Sequence, residues 1–271
     1  MSTATTTQAA IPEQHPSMWR GFLSILGRDL YVTGKELPTF LTQVLLQPFF
    51  FIFVFGKVLG NLGFTQGGYV DILLPGIISM TVVLTAIQGT ALPLVIEFSF
   101  TKEIEDRLLA PLPTTMVAVE KIVFAALRGL LAGVVMFPIG WLVLGRLNFD
   151  VQPVALVVFL VLGALTGACL GLVLGTLVPP NRISVMFALV LTPLLFTGAA
   201  MYPWATLDSL RWFQIVTLFN PLTYMSEGIR GALIPNLIEH MHAVTAAVAL
   251  AAAMVVAGAI GIRGFLRRAI D

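Results

Sequence analysis

An all-α integral membrane protein with six transmembrane helices is the fold class that three features of the sequence predict. Of the 271 residues 58% are hydrophobic and 11% charged, less than half of the roughly 25% charge typical of a soluble domain. Windows of ~20 apolar residues, the length needed to cross ~30 Å of hydrocarbon as helix, can be placed six times along the chain. The breaks between them carry turn punctuation: Gly67-Gly68, Pro111 with Pro113, residues 148–152, and Pro179-Pro180-Asn181. A net charge of +1 supplies no clustered basic surface, so nucleic acid is not an expected partner. The one cysteine, Cys169, excludes an intrachain disulfide.

Residues 1–17 form a Ser/Thr/Ala/Gln/Pro stretch without the basic start or apolar core of a cleavable signal. They read as a disordered cytoplasmic tail. Residues 18–38 place Trp19, Phe22, Leu23, Leu26 and Leu30 at helical spacing, with Arg20, Ser24, Gly27 and Arg28 between them. That amphipathic pattern suits a helix lying in the membrane interface, and equally describes a cytosolic helix packed on a partner.

The six spans fall at 39–59, 72–96, 117–144, 153–178, 184–201 and 243–262, the fifth being short and carrying Pro193. With the N-terminus inside, 11 of the 15 basic residues lie on the cytoplasmic side, and Lys57, Arg146, Arg211 and Arg230 lie outside. The asymmetry places both termini in the cytoplasm. Arg128 falls inside the third span, where an arginine costs ~2.5 to 3.5 kcal/mol on insertion scales at mid-membrane. It either snorkels to the cytoplasmic surface or meets a carboxylate such as Glu97.

Two connections stand out. Residues 97–121 hold eight of the chain's 29 charged residues. Within this loop residues 102–110 read as a short helix, ended by Pro111-Leu112-Pro113. Charge alone would make it a solvated face, but Ile104, Leu108 and Leu109 add an apolar stripe that suits a cytoplasmic partner. Residues 202–242 are too apolar for a plain external loop and too short to cross twice. Asn220 caps and Pro221 opens a helix running to Leu233. Two short re-entrant helices are expected there, with Glu227 and Arg230 paired at i, i+3 on a protein-facing or wet side.

The order of these parts resembles the type-2 ABC exporter permeases. The resemblance rests on the interfacial N-terminal helix, the charged loop Glu97-Phe-Ser-Phe-Thr-Lys-Glu-Ile-Glu-Asp-Arg-Leu-Leu-Ala-Pro-Leu-Pro113, and the late segment Asn220-Pro-Leu-Thr-Tyr-Met-Ser-Glu-Gly-Ile-Arg-Gly231. It extends from Met18 across nearly the whole chain and is nearest to the drug-exporter and nodulation-factor exporter branches. Members often carry Glu-Arg followed by Gly-Thr in the charged loop, whereas Phe98 and Ser99 follow Glu97 here. The resemblance implies a type-2 ABC transmembrane domain over 39–271 in the cell membrane, paired with a second copy or a close relative. It also implies separate nucleotide-binding ATPase subunits holding ATP and Mg. Lys102, Glu103, Ile104, Glu105, Asp106, Arg107 and Leu108 would form the helix that couples to them. Substrates of the family include drugs, glycolipids and polysaccharides moving outward, along a route that spans one, two and five typically line.

Chemistry within the chain itself is sparse. No Gly-x4-Gly-Lys-Ser/Thr occurs, so this chain does not cradle ATP phosphates by that device. No cofactor, metal or catalytic residue is expected: His240 and His242 are two apart, on different faces of a helix, with no completing cluster. Ion-coupled transport and a membrane-embedded enzyme remain as alternatives, the first lacking deep acids in the spans and the second lacking an acid, base and nucleophile cluster.

Gln43 and Gln47 share one face of span one at i, i+4, and Gln88 lies in span two. They either line a route for an amphipathic substrate or hydrogen-bond between helices. The phenylalanines at 49, 50, 51, 53 and 55 circle their helix, so most face lipid or neighbouring helices. Gly163, Gly167, Gly171 and Gly175, each four apart in span four, predict a close helix crossing, with a span of this chain or with a second subunit.

Overall fold

The protein, seen in a computed structural model that describes residues 18–63, 68–101, 112–145 and 149–270, is helical throughout and shows no strand among those residues. Helix α1 (Met18–Lys35) is followed by α2 (Leu37–Phe51), which continues through a π-helical stretch, Ile52–Val58, to Leu59–Asn61. Next come α3 (Tyr69–Ile96), whose end widens into a π turn at Glu97–Thr101, and α4 (Thr114–Leu144). Then follow α5 (Pro153–Leu177), α6 (Ile183–Thr197), the short α7 (Arg211–Thr217), α8 (Pro221–Leu233) and α9 (Ala243–Ile270). Pro153 and Pro221 open their helices, where the missing N–H is no loss. Gly145, at φ 82°, ends α4 in a conformation that a residue with a Cβ would resist.

Five helices among the described residues are long and apolar enough to cross a membrane: Leu37–Asn61, Tyr69–Ser99, Thr114–Leu144, Pro153–Leu177 and Ala243–Ala269. The chain is a multi-pass membrane protein. The expected fifth span is the exception. Helix α6 has 15 residues, ~22 Å at 1.5 Å per residue, and it stops at Thr197 rather than at 201 because side chains from α8 take its final carbonyls. Asn220 donates to Leu194 O at 2.7 Å, Thr223 to Thr197 O at 3.2 Å and Ser226 to Gly198 O at 3.1 Å. Beyond them Ala199 adopts φ 50°, and its carbonyl turns toward Arg230. The last span runs past the expected 262 to Ile270.

Helix α3 is the centre of the bundle, 83% buried over its most apolar window, with α4, α5 and α8 packed around it. Glycines on the neighbours make this possible. A Cβ at Gly167 would stand 2.7 Å from the Val83 carbonyl oxygen, and at Gly175 3.1 Å from the Ala91 Cα; Gly171 faces Ile87 and Thr90 in the same way. Gly163 instead receives the Met225 side chain of α8. The neighbour of this stripe is therefore another span of the same chain. On α4, Gly129 and Gly133 meet Val82 of α3, and on α9 Gly261 and Gly264 meet Leu172 and Thr176 of α5. At Gly129, Gly167, Gly171 and Gly175 the backbones approach closely, which gains dispersion contacts that apolar solvation cannot supply in lipid.

One end of the bundle carries α1. There Lys121 of α4 pairs with Glu97 at the end of α3, and its Nζ lies 3.8 Å from Asp29 Oδ2 of α1. Arg268, near the end of α9, donates to Gly175 O at 2.9 Å and to Ser99 Oγ at 3.1 Å and stacks on Phe98. Four spans are thus tied together near one end by charge-assisted hydrogen bonds.

Candidate translocation site

Two structures of polar character stand within this apolar bundle: a seam between α2 and α3, and a buried ion pair at the end opposite α1.

The seam begins with local helix geometry. Gln43 and Gln47 precede the π-helical stretch, so their i, i+4 relation on an ordinary α-helix holds and both project from the same side of α2. Across from them α3 presents Thr81, Thr85 and Gln88, again at helical spacing. Gln43, Gln47 and Gln88 line one small cavity with Thr81 and Thr85. Thr81 already donates to Ile77 O at 2.8 Å, so its hydroxyl is satisfied within its own helix. A second cavity of about 150 Å³ shares Gln43, Thr85 and Gln88 and reaches Arg128 of α4 and Phe40 of α2. A third, of about 340 Å³, adjoins it through Phe40 and Arg128 and opens among Arg28, Asp29 and Glu36 on the α1 end. All three expected route residues therefore line one groove. Thr81, Thr85 and Arg128 join them, and the signal that finds the threonines is the polar spacing 81, 85, 88 within an otherwise apolar helix.

Arg128 does not meet Glu97, whose carboxylate is engaged by Lys121. Its guanidinium instead lies over the Phe40 ring, 4.4 Å from the centroid, and 5.7 Å from that of Phe124. The ring faces hold the cation where a carboxylate was one of two expected arrangements.

The ion pair at the other end grows from α8. Asn220 caps this helix, its side chain accepting from the Leu222 N–H at 2.9 Å. Three turns later Arg230 donates to Glu227 Oε1 at 2.6 Å, and both residues have no exposed surface. The guanidinium also donates to Ala199 O at 2.6 Å, Ala200 O at 3.0 Å and Ile72 O at 3.3 Å. Glu227 accepts from the Trp204 and Met241 amides at 3.0 and 3.1 Å. Burial lowers the Arg230 guanidinium from its ordinary value, and Glu227 beside it acts in the opposite direction. The pair is protein-facing. It clamps the end of α6, the start of α3 and the segment before α9 around one helix, and it is fully hydrogen-bonded, which is what makes a buried charge tolerable.

Of the remaining expected residues, Lys102, Glu103, Ile104, Glu105, Asp106, Arg107 and Leu108 lie outside the described residues. His240 rests against Gly231, with Nδ1 3.2 Å from Ile238 O. Among the described residues no group of three or more His, Cys, Asp or Glu is placed to hold a metal ion.

The chain is a multi-span helical bundle with a polar groove between two of its spans and a helix at one end. The chain belongs to the ABC-2 type transporter family, whose profile matches residues 19–234. It is similar to the inner membrane transport permease YadH of Escherichia coli K12, 30% identical over 217 residues that cover 78% of this chain and 82% of that protein. It is also 28% identical over 229 residues to the putative transport permease ycf38 of Cyanophora paradoxa, covering 77% and 72% of the two chains. No solved structure matches.

Proposed function

We propose that this chain is the membrane-spanning subunit of an ATP-driven exporter that moves an amphipathic or hydrophobic substrate, a drug, lipid or glycolipid, out of the cytoplasm or the inner leaflet. The observation that carries the reading is membership of the ABC-2 type transporter family across residues 19–234. The groove between α2 and α3 supports it, because Gln43, Gln47 and Gln88 give a crossing molecule hydrogen-bond partners without a fixed charge along most of its length. In this reading ATP and Mg are bound by separate ATPase subunits, and the permease works with a second copy of itself or a close relative. The end carrying α1 faces the cytoplasm, as do both termini, and α6 with the segment after it completes a sixth crossing. Residues 102–110 dock on the ATPase, with charges giving orientation and Ile104 and Leu108 giving burial.

The test is co-purification with a co-expressed ABC ATPase, together with substrate-stimulated ATP turnover and export from cells. The paired change Glu105→Ala and Arg107→Ala is expected to weaken assembly or to separate turnover from export, by ~2 to 5 kcal/mol if the charges are desolvated at the interface. The permease should still insert, since these residues lie between spans. Full assembly and export in that variant, and also in Leu108→Asp, would remove the coupling role; transport that proceeds without any ATPase would overturn the whole reading.

A further inference from the structure

We infer that Arg128, with Gln43 and Gln88, forms a recognition site for the acidic headgroup of a membrane-borne amphipath, a carboxylate or phosphate on an apolar tail, at the cytoplasmic mouth of the groove. The inference deepens the export reading and rests on it.

Depth comes first. Helix α4 has 31 residues, ~46 Å of helix against ~30 Å of hydrocarbon. Its far end, at Leu144, meets Gly56 near the end of α2, so the surplus of ~16 Å projects at the α1 end and covers roughly its first eleven residues. Arg128 then sits about one turn below the cytoplasmic surface. Phe40, on which it stacks, is likewise one turn into α2. From there a long side chain directed toward the helix N-terminus reaches the headgroup level of the inner leaflet.

Chemistry comes second. Arg128 makes no ion pair within 4.0 Å and no hydrogen bond among the described residues, and its Nε is a buried donor without an acceptor. Glu36 acts on it electrostatically, but only from a distance. Lys121 and Arg28 attend Asp29, at 3.8 and 3.7 Å, and Glu36 stands outside ion-pair distance. In the 150 Å³ cavity Arg128 is the one charged side chain among the described lining residues, and the amides of Gln43 and Gln88 face the same space. A planar guanidinium held by two rings, with amide donors beside it, is suited to paired oxygens of a carboxylate or phosphate. Apart from Thr85 the rest of the wall is apolar, and Leu92 and Ile96 are 40% and 48% exposed, so a tail can leave the cavity sideways into lipid while the headgroup stays on Arg128.

The full chain, purified without any ATPase, is offered dioleoylphosphatidylglycerol and dioleoylphosphatidylcholine at equal mole fraction, and retained lipid is counted by native mass spectrometry. The wild type should retain the anionic lipid selectively. Arg128→Gln should weaken that retention about tenfold, Arg128→Lys less, and Arg182→Gln, which removes an exposed cation elsewhere, less than about twofold. Gln43→Leu with Gln88→Leu should weaken it severalfold with the charge intact, and serves if Arg128→Gln does not fold. Excess inorganic phosphate should not displace the lipid. Equal retention of the two lipids by the wild type, or selectivity unchanged in the Arg128 and glutamine variants, overturns the site. Displacement by inorganic phosphate overturns the membrane-borne source. Because no ATPase enters the assay, either failure leaves the export reading standing, and failure of ATPase coupling leaves this site standing.

Discussion

Removing one member of the Glu227–Arg230 pair should cost more than removing both in proportion, and the structure sets the size of the difference. Glu227→Ala leaves a guanidinium with no exposed surface and without its counter-charge, and strips the Trp204 and Met241 amides of their acceptor. A buried pair broken on one side costs ~3 to 5 kcal/mol. Arg230→Met strands the Glu227 carboxylate and leaves the Ala199, Ala200 and Ile72 carbonyls without this donor, with a similar cost of ~3 to 5 kcal/mol. In the double variant both charges are gone, and the backbone groups left unmatched are those the two single variants already expose, so no stranded buried charge is added to their cost. The double should therefore be less damaging than the sum of the singles by ~2 to 3 kcal/mol. The measurement is chemical unfolding in mixed micelles followed by far-ultraviolet circular dichroism, with Glu227→Gln as an intermediate case that keeps one acceptor and loses the charge. Additivity within ~0.5 kcal/mol, or a cost under ~1 kcal/mol for either single, would refute the account of this pair as the clamp between α8, α6 and α3.

Three further outcomes are expected. In a Cys169→Ala background Thr206→Cys should react with a membrane-impermeant thiol reagent on intact cells and Thr114→Cys should not; the reverse pattern would invert the proposed orientation. Gly171→Leu must displace the Ile87 backbone and should cost at least ~1 to 3 kcal/mol as overpacking, while Gly27→Leu, with nothing within 4 Å of its added Cβ, should leave the unfolding midpoint near that of the wild type; equal behaviour of the two would argue against the α3–α5 seam. Lys121→Met leaves Glu97 and Asp29 near each other without their shared cation and should loosen α1, read as faster proteolysis of the N-terminal segment with little change in the spans.

Spacing along single helices was enough to read much of this protein. The face shared by Gln43 and Gln47 and the Asn220-Pro221 start of α8 are local facts, set by 3.6 residues per turn and by the chemistry of a helix N-terminus. The glycine stripe was equally visible, but which helix meets it was not, because an absent side chain says nothing about its neighbour. The short α6 was hidden for a related reason: what ends it is four polar side chains from α8, 26 to 31 residues further along, and apolar composition alone would carry the helix onward. Arg128 was offered Glu97 as one of two arrangements by position in the sequence, but Lys121, 24 residues from Glu97, holds that carboxylate because α3 and α4 run side by side. Arg128 over the Phe40 ring follows from α2 lying against α4, which no window of the sequence displays, whereas Phe124 is four residues back on its own helix.

The glycine seams also set what can move. Sliding α5 along α3 would drag backbone against backbone at Val83, Ile87 and Ala91 at once, where no side chain is present to change rotamer and absorb the step. Those two helices act mechanically as one stiff plank. Helix α2 is different: its most apolar window is 28% buried against 83% for α3, and it touches its neighbours through long, adaptable side chains. Any cycle that widens and narrows the groove meets least resistance by swinging α2, hinged near Pro48 within it, against an unmoving plank. The wall carrying Gln43 and Gln47 would then travel, and the wall carrying Gln88 would stay still.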